Sequence, residues 1–99
     1  MRFSVKRTGG YIGVTEIVAN VETEKLAPPA ANNLEQLVRE IGFFQLPARL
    51  PDSEIGADLF RFEITVTDGV RRHSVVFQDA DPPQSKPLNK LLAALVQLG

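Results

Sequence analysis

Ninety-nine residues and 10.9 kDa leave room for one modest hydrophobic core, so residues 1–99 read as a single domain and a two-domain architecture is excluded. With 43% hydrophobic and 23% charged residues the chain is too apolar for disorder, and with no cysteine it has no disulfide, thiolate nucleophile, zinc ribbon or iron–sulfur cluster. Eleven basic against twelve acidic side chains leave a net charge of -1, which removes the bulk attraction behind non-specific nucleic-acid binding. No apolar run reaches the roughly 20 residues of a spanning helix. The opening Met-Arg-Phe-Ser-Val-Lys-Arg reads as a charged strand rather than a signal peptide, so the cytoplasm is the default compartment.

Alternation starts at once. Phe3, Val5 and Arg7 fall on one side of an extended strand, with Arg2, Ser4, Lys6 and Thr8 on the other. Gly9, Gly10 and Gly13 then surround Tyr11 and Ile12, and a second alternating run places Ile17, Ala19 and Val21 on one face. This is a hairpin with a connection longer than two residues. Its tip holds apolar side chains where loops are usually polar. They suit either a protein-binding surface or packing against a neighbouring loop.

Pro28 and Pro29 fit the first turn of a helix. Ala31, Leu34, Leu37, Val38 and Ile41 recur at helical spacing, and Gly42 stands where a left-handed cap belongs. Phe43-Phe44-Gln45-Leu46-Pro47 comes next, placed to fold back and plug the bottom of a core. From Pro47 to about Asp58 there is no period; prolines and a glycine are joined by three acids, Asp52, Glu54 and Asp58, against the one basic residue Arg49. A loop this long in so small a domain is more often functional than decorative.

Phe60, Phe62, Ile64 and Val66 alternate with Arg61, Glu63, Thr65 and Thr67, and Asp68-Gly69 is a strong hairpin signal. The returning strand points Val75 and Phe77 inward. Ser85 caps a last helix with Pro87 in its first turn and a stripe of Leu88, Leu91, Leu92, Leu95 and Leu98. The order ββαββα predicts an α+β, two-layer domain: a four-stranded antiparallel sheet of two hairpins, with two helices on one face.

The chemistry of catalysis is missing from this pattern. His73 is the single histidine and has no second ligand at helical or hairpin spacing, so it reads as a half-covered cross-strand neighbour and no metal or cofactor is expected. Ser74 and His73 are adjacent on a strand and point to opposite faces, so they are no catalytic pair. The acids of the long loop, with Asp79 and Asp81, read as solvated carboxylates. The glycines from Gly9 to Gly13 precede a strand rather than a helix and lack a following Lys-Ser or Lys-Thr, so a phosphate loop is not supported. Arg71, Arg72, Lys6 and Arg7 make a basic patch only if the first and fourth strands are close; a solvated sheet face is the simpler reading. What remains is a binding module and not an enzyme.

Together the motifs resemble the emfourin-like family, small bacterial inhibitors of protealysin and other thermolysin-like zinc metallopeptidases. The resemblance rests on Arg7 to Gly13, Leu26 to Pro29, Phe43-Phe44-Gln45-Leu46-Pro47, the run Phe60 to Val66 with Asp68-Gly69 and His73-Ser74-Val75, then Asp79 and Pro87-Leu88 with the closing leucines. In one departure, Ala27 separates Leu26 from Pro28. The resemblance implies reversible, non-covalent occlusion of a metallopeptidase cleft by rigid loops; from charge and hydropathy neither nucleic acid nor membrane is expected as partner, and the free protein is expected to be a monomer. Gly10, Tyr11, Ile12, Leu50, Asp52, Glu54, Ile55, Asp58 and Leu59 are then the partner-binding candidates. Tyr11, Ile12, Leu50, Ile55 and Leu59 would serve as apolar anchors, and Asp52, Glu54 or Asp58 as a carboxylate approaching the target's zinc. The alternative is a non-inhibitory interaction or regulatory domain.

Overall fold

The computed structural model describes residues 1–9, 14–49, 61–78 and 86–98. Four strands, β1 (Arg2–Gly9), β2 (Val14–Glu22), β3 (Arg61–Asp68) and β4 (Arg71–Gln78), form an antiparallel sheet in the order β2-β1-β3-β4. Helix α1 (Pro28–Ile41) joins β2 to β3, and α2 (Lys86–Leu98) follows β4. The expected ββαββα architecture is therefore the observed one, and pairing of β1 with β3 welds the two hairpins into a single sheet.

One face of the sheet carries the core. Phe3 and Val5 of β1 meet Val66 and Ile64 of β3 across the strands, and Phe62, Ile64 and Val66 meet Phe77, Val75 and His73 of β4. Leu34 and Val38 of α1 and Leu88, Leu91 and Leu95 of α2 complete the buried set. The other face shows Ser4, Lys6, Glu63, Thr65 and Ser74 to solvent, as alternation in a one-sided sheet requires.

Two expectations need correction. Ile17 does not share the face of Ala19 and Val21: the register slips between Val5 and Lys6, so that Val5 pairs with Ala19 but Lys6 pairs with Ile17. Val18 is the extra residue of this bulge, and because side chains alternate with period two, Ile17 is turned to the open face, 69% exposed. Leu98 likewise leaves the leucine stripe and is 40% exposed, at the end of α2. At the second hairpin, Asp68 is the last paired residue of β3 and faces Arg71, so Gly69 and Val70 form the turn, with Gly69 taking the positive φ of 62° in first position.

The end of α1 sets the course of the chain toward β4. Pro28 and Pro29 occupy the first two positions of the helix, Ala27 provides no side-chain cap, and the helix stops at Gly42, which has φ 63° and ψ 44° and donates its N–H to Arg39 and Val38 carbonyls. Phe43 then enters the core fully buried, on a 3₁₀ turn over Phe43–Gln45, as a plug at the helix end should.

Removing side chains tests these placements. Ile64→Ala, in the core, is expected to cost about 2–5 kcal/mol by urea unfolding, whereas Ile17→Thr should stay within about 0.5 kcal/mol of the parent. At the surface, Lys25 hydrogen-bonds Glu22 and, with Arg2, holds its carboxyl below the ordinary value. The stability it contributes is present above the unfolded-state pKa and is lost as pH falls through the lowered folded value, so Glu22→Gln should flatten the acid limb of a stability-pH profile.

Candidate functional site

The register fixes which connections share an end of the sheet. Thr8 pairs with Thr15 on one side and with Arg61 on the other, and Arg61 pairs with Gln78. One row therefore crosses the end of β1, the start of β2, the start of β3 and the end of β4. Segments 10–13 and 79–85 leave from this end, and segment 50–60 returns to it. With strands about 4.8 Å apart, all these exits lie within roughly 20 Å of each other.

The start of segment 50–60 is brought to the same place by an unusual path. After Gly42 the chain runs along the outer edge of β4: His73 Nε2 lies 2.6 Å from the Leu46 carbonyl oxygen, Val76 N–H donates to the Ala48 carbonyl at 2.8 Å, and Arg49 bridges Val76 in parallel. Leu46, preceding Pro47, is extended with φ -71° and ψ 149°, the conformation a following proline imposes. Aromatic contacts hold the beginning of this strap. Phe43 packs edge-on against His73 with ring centroids 5.7 Å apart, Phe44 meets Phe43 edge-on at 5.9 Å, and the Arg71 guanidinium sits 4.3 Å from the centre of the Phe44 ring. The strap also satisfies a donor on an edge strand that would otherwise invite pairing with another chain.

The open face of the sheet forms a shallow trough of about 500 Å³, lined by serine and threonine hydroxyls and by charges of both signs. Thr65 and Ser74 hydroxyls bond each other at 2.7 Å, Arg2 is held by Glu22 at 2.7 Å, and Lys6 faces Glu63 across the strands. The basic patch does not assemble. β3 stands between β1 and β4, Lys6 and Arg72 occupy the open face, and Arg7 and Arg71 lie on the other, paired with Glu16 and Asp68. Among the described residues there is no group of three or more metal-ligating side chains, and no helix is long and apolar enough to cross a membrane.

Gly10, Tyr11, Ile12, Leu50, Asp52, Glu54, Ile55, Asp58 and Leu59 all lie outside the described residues, as do Asp79, Asp81 and Ser85. What the structure adds is where their segments attach. His73 is half-buried and a cross-strand neighbour of Val66, as expected of it, but its bond to Leu46 and the strap itself have no counterpart in the sequence reading. Leu46-Pro47, one residue after the aromatic pair, signals extended chain at Leu46 but not the edge it lies against.

The sequence that builds this strapped ββαββα sheet matches the Emfourin family model over residues 5–95. The chain belongs to the Emfourin family. No curated protein and no solved structure gives a significant match. At family level, emfourin membership implies an inhibitor of protealysin-type metallopeptidases, and so a chain that binds such an enzyme.

Arg71 joins the aromatic end of the strap to the β3–β4 turn, since it pairs with Asp68 at 2.8 Å while covering Phe44. Arg71→Ala is expected to cost about 1 kcal/mol in chemical unfolding, with Arg71→Lys recovering only part of it, because a lysine lacks the planar face.

Proposed function

We propose that this chain inhibits a thermolysin-like, protealysin-type zinc metallopeptidase by non-covalent occlusion of the active-site cleft, using segments 10–13 and 50–60 together. The observation that supports this reading is the shared end of the sheet: Gly9, Val14, Arg49 and Arg61 hold both segments on adjoining strands or on the strap beside them. A standard interface takes about 800 Å² from each partner, which two neighbouring connections can supply.

A peptide that occupies a protease cleft must resist cleavage, and stiffness serves that purpose. Pro47 and Pro51 fix φ and restrict Leu46 and Leu50 before them, so less order has to be imposed on binding and the backbone is kept from the attack geometry. Leu46 already has the extended conformation. Tyr11, Ile12, Leu50, Ile55 and Leu59 are the proposed apolar anchors, Gly10 gives the hairpin tip its freedom to turn, and one of Asp52, Glu54 and Asp58 is the proposed carboxylate toward the enzyme's zinc.

Titration of the purified chain into protealysin-type and thermolysin-type peptidases with a peptide substrate tests the reading. Stoichiometric, reversible inhibition is expected. Tyr11→Ala and Leu50→Ala should each raise the inhibition constant at least about tenfold, whereas Val70→Glu, at the fully exposed turn at the other end of the sheet, should leave it unchanged. No inhibition at micromolar excess across several such enzymes would contradict the proposal, and binding without inhibition would favour the regulatory alternative.

A further inference from the structure

We propose that His73 is the positioning residue of this inhibitor, and that its bond to the Leu46 carbonyl sets the point from which segment 50–60 departs. The inference rests on the inhibitory reading for its consequence, but its geometry stands on described residues alone.

A carbonyl oxygen only accepts, so at 2.6 Å His73 Nε2 must be the donor, and the ring carries its hydrogen there. That holds for the neutral ring with the hydrogen on Nε2 and for the doubly protonated ring, so the bond needs no charge on the histidine. The ring is packed edge-on against Phe43 and lies 6.5 Å from the tilted Phe44 ring, which leaves the imidazole little freedom to leave the carbonyl. Three residues further along β4, Val76 N–H holds Ala48, and Arg49 completes the parallel bridge. Between Gly42 and Arg49 the strap is thus tied at the aromatic end by Phe43, in the middle by His73, and at the far end by Val76. The middle tie is a hydrogen bond from a side chain to the backbone. It is also the one whose loss lets extended Leu46-Pro47 lift from the edge without disturbing the β3–β4 pairing, because His73 keeps its backbone place opposite Val66. A backbone held at residues 46–49 gives segment 50–60 a fixed origin, and a fixed origin lowers the ordering cost of binding.

Three variants of the full chain test this. His73→Phe keeps an aromatic ring and removes the donor. His73→Gln places an amide N–H at nearly the reach of Nε2. His73→Asn keeps an amide but stops short of the carbonyl, and it serves in place of His73→Phe should that variant not fold. Exchange of the Val76 amide and inhibition of a protealysin-type peptidase are measured on each. Faster Val76 exchange and an inhibition constant raised about fivefold to tenfold in His73→Phe or His73→Asn, both restored in His73→Gln, are the expected results. Unchanged Val76 exchange in His73→Phe or His73→Asn would overturn the tie, whether or not any peptidase is inhibited. Faster exchange with unchanged inhibition would overturn its role in positioning. A parent chain that inhibits nothing would count against the inhibitory reading and remove the consequence proposed for His73, while the exchange data would still decide the tie.

Discussion

Everything at the β4 edge depends on the left-handed turn at Gly42. A helix that continued past Ile41 would carry the chain away from the sheet, and an ordinary residue would resist φ 63°. With glycine there the backbone reverses, Phe43 drops into the core, and the next residues are delivered to the outer side of β4. Burial of one aromatic ring and the conformation of one glycine together convert a helix end into the start of an edge-covering strap.

The sheet makes use of that delivery. Its single buried face leaves the helices on one side, and its antiparallel order places the β1–β2 connection, the return of segment 50–60 and the exit from β4 at one end. The strap brings the origin of segment 50–60 from the far end, beside Arg71, to Val76, two residues short of the same row. The hydrophobic core thereby acts at a distance: it decides which segments leave and enter the sheet at the same end. That arrangement suits a protein that binds an enzyme, as emfourin membership implies.

Much of this is legible in the residues. Strict alternation in β1 and β3, the proline pair and Gly42 around α1, and the leucines of α2 each point to one structure only, and together they dictate the ββαββα order. The bulge at Val18 is not legible, because Ile17, Val18 and Ala19 are all apolar and satisfy either register; only pairing against β1 distinguishes them. Neither is the strap, since 46–49 has no alternation and its partner edge lies some thirty residues away in sequence. The candidate residues of 10–13 and 50–60 stand on composition and family resemblance, and the structure bears on them through the strand ends that hold them.

The central claim is that the end of the sheet bearing Gly9, Arg49 and Arg61 is the one that meets the enzyme. Backbone amide signals of the ¹⁵N-labelled chain, followed while an inactive protealysin-type peptidase is added, test it most directly. Loss or displacement of the Gly9, Thr15, Arg49 and Arg61 signals, with those of Gly69 and Val70 changed least, is the predicted result. Changes centred on Gly69, Val70 and Arg71, with the first group untouched, would contradict the account.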